Sequence, residues 1–301
     1  MRVLLTGAAG QLGKALLRSK PEGVELISTS RNGGPGLEPL DLANANACQA
    51  AVKQHQPQWV LNAGAYTAVD KAESEPELAN AVNAKAPEAF AHALNDQGGR
   101  LLQLSTDFVF NGRQGVPYTV DQGRDPLGVY GYTKAKGEEA VEALLGSNGN
   151  GFVLRTSWVI GPVGHNFALT MLRLHREREH LRVVADQVGC PSSTLNLATA
   201  CWKAIQISSD ERQLLPAVLH WSDAGAASWF DVAVAVGELG LELGLLKRAA
   251  QVRPISTSDY PTPAIRPAYS LLDCNGTRAE LNLEGQQWRQ ALRKALQAIP
   301  H

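Results

Sequence analysis

The chain has 301 residues, 44% of them hydrophobic and 19% charged, with a formal net charge of −1. That balance fits a soluble globular protein of one large domain or two modest ones. It excludes a global field that would attract nucleic acid or an anionic membrane, so an anionic ligand must be held by a local site. The four cysteines, Cys48, Cys190, Cys201 and Cys274, lie far apart with no CxxC, and a reduced, cytoplasmic compartment is expected. The opening "MRVLLTGAAG" has too few consecutive apolar residues for a signal-peptide core, and no run approaches the length of a membrane span.

Along the chain, short apolar runs alternate with helical stretches. "RVLLT" (2–6) predicts a buried strand, and "GQLGKALLRS" (10–19) a helix with Leu12, Ala15, Leu16 and Leu17 on one side. A strand at 24–30, a helix at 45–56 stopped by Pro57, and a strand at 58–64 follow. A helical stretch at 76–98, a strand at 100–106, a helix from about 130 to 145 and a strand at 151–161 complete the rhythm. Strands separated by helices imply βαβ units, so the expected fold is α/β, a Rossmann-type doubly wound parallel sheet. Beyond residue 160 prolines and tryptophans interrupt the pattern, as in "HWSDAGAASWFDVA" and "RPISTSDYPTPAIRPAYS". We expect residues 1–157 to be mainly the NADP-binding domain and 158–301 mainly a smaller α+β substrate-binding lobe, with segments interleaving.

"TGAAGQLG" places Gly7, Gly10 and Gly13 between the first strand and the first helix. A dinucleotide pyrophosphate needs a tight turn, a backbone it can approach and helix N-terminal N–H groups, and this position supplies all three. At the end of the second strand stand Ser30 and Arg31 with no carboxylate. A guanidinium and a hydroxyl suit a ribose 2′-phosphate, which favours NADPH, with NADH as a second acceptable cofactor. Farther on, Asp41 could accept from the adenine amino group beside Leu42. The small residues Ala63, Gly64 and Ala65 would let the chain pass beneath the pyrophosphate and ribose.

In "YGYTKAK" a tyrosine precedes a lysine by four residues twice, as Tyr130–Lys134 and Tyr132–Lys136. Both pairs share a helix face. Tyr130 and Lys134 continue through Gly137, Val141 and Leu144, the stripe that must meet the sheet; Tyr132 and Lys136 continue through Glu139 toward water. We therefore assign proton transfer to Tyr130, with the Lys134 ammonium lowering the phenol's pKa and holding the nicotinamide ribose. Ser105 and Thr106, ending the strand before them, offer a hydroxyl for the substrate oxygen.

"TGAAGQLG", "STDFVF" and "YGYTKAKGE" together resemble extended short-chain dehydrogenases/reductases. "NAGAYTAVDKAESEP", "RTSWVIG", "DQVGCP", "SWFDVA" and "YPTPAIRPAYSLLD" narrow the resemblance to the dTDP-4-dehydrorhamnose reductase family. It runs through nearly the whole chain. The resemblance implies NADPH-dependent reduction of the 4-keto group of a dTDP-sugar in the cytoplasm. It also implies Tyr130 as proton donor, Lys134 as its partner and Thr106 as the tuning hydroxyl. Gly10-Gln11-Leu12, Asp41-Leu42 and Ala65-Tyr66-Thr67 would contact the cofactor, and Thr106-Asp107 and Trp158 the sugar nucleotide. Some members are metal-bridged dimers held by acidic residues, one on the first helix; here that helix has no carboxylate, so neither metal nor that dimer is carried over. A monomer or homodimer is expected, with no nucleic-acid or membrane partner.

Two other readings remain at this stage: a nucleotide-sugar epimerase or dehydratase of the same superfamily, and a non-catalytic NADP-binding regulatory subunit. The "LRLHREREHLR" run (172–182) reads as a solvated helix face. Asn166, after His165, either touches substrate or caps a loop; Arg266 either holds the diphosphate or pairs structurally.

Overall fold

The structure, a computed structural model, describes residues 1–210 and 215–300. Seven parallel strands form the central sheet: β1 (Arg2–Thr6), β2 (Glu25–Ser30), β3 (Glu38–Pro39), β4 (Trp59–Asn62), β5 (Arg100–Thr106), β6 (Gly151–Thr156) and β7 (Val218–Trp221). Their spatial order is β7-β6-β5-β4-β1-β2-β3. The chain thus grows outward in one direction through β2 and β3, then restarts on the other side of β1 with β4. The carboxyl ends of β1 and β4 flank this switch point, where an open α/β sheet forms its ligand crevice.

The inner strands β1, β4, β5 and β6 are buried on both faces, as the helices covering them require, whereas the edge strand β3 is exposed. Alternation along β1 sends Val3 and Leu5 to one face and Leu4 to the other. On the first face lie α1 (Gln11–Arg18) and, arriving much later in the chain, α6 (Thr194–Ser208); Leu12, Leu16, Trp202 and Ile205 fill the layer. On the second face lie α2 (Ala45–His55), α3 (Ala86–Gln97) and α4 (Val129–Leu145), with Phe90, Leu94 and Val141 at the centre.

The remaining chain builds a lobe around α5 (Phe167–Glu177), α7 (Trp229–Glu242) and α8 (Trp288–Gln297), with a parallel ladder joining His180–Val184 to Gln251–Ile255. Its core gathers Met171, Leu172, Val183, Val232, Val236 and Leu292. A smaller apolar cluster of Val109, Phe110, Tyr118, Ala135 and Leu272 joins this lobe to α4. Among the described residues no helix is long and apolar enough to cross a membrane.

Three expectations change. The strand expected at 151–161 ends at Thr156: Trp158 takes φ 45°, and Val159–Ile160 pairs with Ser192–Ser193 instead of continuing in the sheet. The segment expected to be irregular around residue 220 contains β7, which returns to the sheet beside β6. Its apolar run was hidden by His220, which is fully buried and faces the Tyr118 carbonyl through Nδ1. The helical stretch at 76–98 is not uniform either: Ala81–Lys85 is a π-turn that leads into α3. Pro87 supplies the reason, since it has no N–H to return to Asn83 and its ring crowds that carbonyl.

Candidate active site

The glycine turn is shaped by contacts with the next strand over. Gly7 has φ +66°, and a β-carbon there would lie 2.7 Å from the backbone of Gly64. The β1–α1 turn and the chain after β4 can therefore touch only through bare backbone. A buried polar ladder stiffens the floor. The Gly64 N–H donates to the Thr6 hydroxyl at 3.0 Å, Thr6 donates to Asn62 at 2.5 Å, and Asn62 donates to Gln103 at 2.6 Å. Helix α1 starts at Gly10 with no side-chain cap and no acidic residue in its first turn. Its first N–H groups are thus left for an anion, which is what a pyrophosphate requires. Leu12 is buried in the core, so it can meet a cofactor only through its backbone; the Gln11 side chain reaches Val159 O at 3.2 Å.

At the adenosine end the sequence candidates come together. Arg31 and Asp41 stand 3.8 Å apart, both largely exposed, at the edge formed by β2 and β3. Ser30 is less available: it is 8% exposed and its hydroxyl donates to Gly33 O at 3.0 Å, bracing the loop. Asp41 accepts from Ala43 N, and Leu42 packs inward beneath the glycines. Beyond Ala63 and Ala65, Tyr66 is held at both ends, by Asn83 at its N–H and by Glu75 at its hydroxyl (2.5 Å), while Thr67 faces solvent. This line of groups has the order expected for a dinucleotide, whose pyrophosphate would lie over the turn and whose phosphorylated ribose would lie beside Arg31.

The residues expected to transfer the proton lie at the end of β5 and the start of α4. Gly131 lets the helix press against the Phe108 carbonyl, where any side chain would collide. That contact brings the Tyr130 ring edge-on to Phe108, 5.5 Å between centroids, with the phenol beside Thr106. Thr106 donates to Asp107 at 3.0 Å and accepts from Phe108 N. Ser105 points the other way, toward Glu138, as strand alternation demands. Tyr132 is 55% exposed and lies under Lys136, which pairs with Glu139 at 2.7 Å.

The electrostatics correct one expectation. The phenol of Tyr130 is pushed up to about 12, by burial first, against the lowering by the Thr106 hydroxyl beside it and with Asp107 adding to the rise. Lys134 does not acidify it. Its ammonium, 4% exposed, donates to Leu104 O at 2.5 Å, and burial lowers its own pKa to about 8 despite the opposing charge of Glu138. Asp107, 1% exposed, is raised to about 6 by burial, against the hydrogen bond from Thr106.

On the sugar side three candidates are already engaged. Asn166 caps α5, accepting from Leu169 N at 3.0 Å, and its amide donates to Gly161 O and Gln11 Oε1. Both amide hydrogens and one of the two Oδ1 lone pairs are engaged, so in this structure Asn166 caps and bridges. Arg266 grips Asp70 with both terminal nitrogens, at 3.1 and 2.7 Å, and also meets Thr262 at 2.5 Å. This fork joins the 262–266 loop to the short helix Val69–Ala72, so Arg266 has the structural pairing expected as one of its two readings. Trp158 stacks on Trp229, 3.7 Å between centroids at 11°, with Gly189 against its indole. One face is thus unavailable to a sugar.

Sequence reasoning missed several supporting groups. Glu73 accepts from Val129 N at 2.9 Å and so caps the helix that carries Tyr130, whose own N-cap, Gly128, has no side chain. Asn83, freed by the π-turn, bonds both ends of the Tyr66 peptide unit and reaches Thr133 on α4. Glu138 is buried one turn beyond Lys134. Only Glu138 left a signal, because the first glutamate of "KGEE" falls on the stripe shared by Lys134 and Val141.

A helix end bared for a pyrophosphate, opposite a phenol and hydroxyl on the same sheet edge, makes this an extended short-chain dehydrogenase/reductase. Within that class the chain belongs to the family described as RmlD substrate binding domain, which matches residues 1–300. A dTDP-4-dehydrorhamnose reductase of Sinorhizobium fredii is 37% identical over 300 residues, covering 99% of this chain and 98% of its own. A probable dTDP-4,6-dihydroxy-2-methyloxan-3-one 4-ketoreductase of Streptomyces antibioticus is 37% identical over 300 residues, covering 99% and 96%. The crystal structure of a Bacillus anthracis dTDP-4-dehydrorhamnose reductase in complex with NADP superposes with TM-score 0.86 at 33% identity, covering 98% of each chain.

Proposed function

We propose that this protein reduces the 4-keto group of dTDP-4-dehydro-β-L-rhamnose to dTDP-β-L-rhamnose with NADPH, the last step of dTDP-rhamnose synthesis. The observation that carries the reading is the Tyr130 phenol set beside the Thr106 hydroxyl at the carboxyl edge of β5, on a sheet whose first helix, α1, starts uncapped. Relatives along the full chain support it. The Streptomyces protein, named for a different sugar ketone, shares the 4-keto reduction, so reduced position is common to both names.

NADPH, when bound along the glycine turn with Arg31 at its 2′-phosphate, supplies the hydride for C4. The protein's own part is to place and protonate the oxygen. Thr106 stands where a hydroxyl can grip the ketone oxygen, and Tyr130 holds the proton that becomes the C4 hydroxyl hydrogen. A phenol pushed up to about 12 is protonated at neutral pH, as a donor must be. Its reluctance to release that proton is offset by the target, since an alkoxide is far more basic than a phenolate. The Lys134 ammonium would turn from Leu104 O toward the nicotinamide ribose. Elimination chemistry is disfavoured because Asp107 is followed by Phe108, leaving no second carboxylate beside Thr106. The reading places the enzyme in the cytoplasm, where nucleotide sugars and NADPH meet.

The test is an assay with dTDP-4-dehydro-β-L-rhamnose following NADPH absorbance, with NADH in parallel. Stoichiometric oxidation of NADPH is expected. Turnover of sugar with no net NADPH loss would sink the reading in favour of an epimerase.

A further inference from the structure

Beneath the proton-transfer residues runs a buried column of charge. Glu138 follows Lys134 by four residues, so the two share a helix face one turn apart. Its carboxylate is 1% exposed and is gripped by Arg155 of β6, itself 2% exposed, through Nε at 3.0 Å and a terminal nitrogen at 2.7 Å. Arg124, from the segment leading into α4, adds a third contact at 2.5 Å and reaches on to Glu142. Arg155 also donates to Val120 O, faces Nε2 of His220 on β7 and lies 5.1 Å over the Phe110 ring. One carboxylate therefore ties the helix of Tyr130 and Lys134 to the strand beside β5, to β7 and to the approach segment.

Stability alone does not account for a carboxylate here. Buried ion pairs are often no better than an apolar pair of similar volume, because desolvation offsets the attraction. What an apolar pair could not supply is negative charge one turn from a buried ammonium whose hydrogen-bond partner is a single carbonyl, Leu104 O.

We infer that Glu138 is a positioning residue for Lys134: clamped by Arg155, it fixes the pitch of the helix and keeps the lysine cationic under the nicotinamide site. The inference rests on the reading that Lys134 serves the reduction. The charged and titratable groups packed around this face are few. Tyr130 and Glu138 come from the helix itself, Asp107 from the end of β5, Arg155 from β6, Arg124 from the approach segment and His220 from β7. The π-turn contributes only neutral Asn83. Of these, Glu138 is the one whose charge opposes the effect of burial on Lys134.

The decisive experiment combines Glu138→Met with Arg155→Met, so that Arg155 is not left without its carboxylate while Arg124 keeps Glu142. Two quantities are read in the folded double variant: the titration of the Lys134 Cε resonance without substrate, and the alkaline limb of kcat against pH. Both are expected to move to lower pH by up to about one unit, since Glu138 is the neighbour whose charge raises the lysine and Arg155 is not. Unmoved titration in a folded variant overturns the inference. Glu138→Asp keeps the charge and is expected to hold both near their wild-type positions, even if the double variant does not fold. A shift of one unit or more in Glu138→Asp also overturns it. If the wild type does not reduce the sugar nucleotide, the proposed function fails, yet the Lys134 titration still decides the role of Glu138.

Discussion

The two sides of the cleft were assembled by different means. On the cofactor side, the groups proposed for ligand are backbone N–H groups at the start of α1 and a hydroxyl–phenol pair on adjoining elements. The helix end remains open, since α1 has no capping side chain, and the Thr106 hydroxyl is engaged only by its own chain neighbours, Asp107 and Phe108 N. On the sugar side, Asn166, Arg266 and Trp158 had equally suitable chemistry but are engaged by distant chain, by Gln11, Asp70 and Trp229 respectively. A backbone site is defined by local conformation, whereas a polar side chain serves whichever partner the fold brings first. Motifs that act through the main chain are for that reason safer guides than single attractive side chains.

The sharpest way to break this contrast is to remove the phenol. Tyr130→Phe is expected to lower kcat by roughly a thousandfold or more, while the NADPH dissociation constant stays close to wild type. Tyr132→Phe, at an exposed position, should be mild; equal damage from both changes in steady-state assays would mean the helix face has been misassigned.

Asp107 probes the boundary between the sides. Its folded pKa of about 6 lies above the ordinary carboxylate value, so its ionisation is penalised in the native state. That penalty is absent at low pH and fully present above the folded pKa. Asp107→Asn should therefore gain stability relative to wild type between pH 4 and pH 8, by up to about 3 kcal/mol, in urea denaturation at the two pH values. A difference that does not change with pH would refute the buried, strained carboxylate.

Smaller effects are expected where candidates proved to be structural. Asn166→Ala should cost about 1 kcal/mol of unfolding free energy, as loss of a helix cap does, and leave the KM for the sugar nucleotide unchanged. A raised KM without destabilisation would restore the substrate role. Arg31→Ala is the subtlest: it should weaken NADPH several-fold more than NADH, judged by the ratio of their dissociation constants. An unaltered ratio would place the 2′-phosphate elsewhere.

Much of this protein is determined by sequence alone. The alternation of buried strands and helices sets the parallel sheet, because a strand covered on both faces must be apolar throughout. The glycine turn and the Tyr130–Lys134 frame are likewise local, governed by backbone freedom at Gly7 and by helical periodicity. Tertiary structure alone decided the rest. It broke the strand after Thr156 at Trp158, returned β7 to the sheet edge, and turned the Lys134 ammonium to Leu104 O, away from the phenol it was expected to acidify. It also joined Glu138 to Arg155 and Asp70 to Arg266, pairs whose members lie 17 and 196 residues apart. The physical reason is common to all of these: hydrogen bonds and ion pairs are short-ranged, so their partners are chosen by packing, and no local pattern along the chain records the choice.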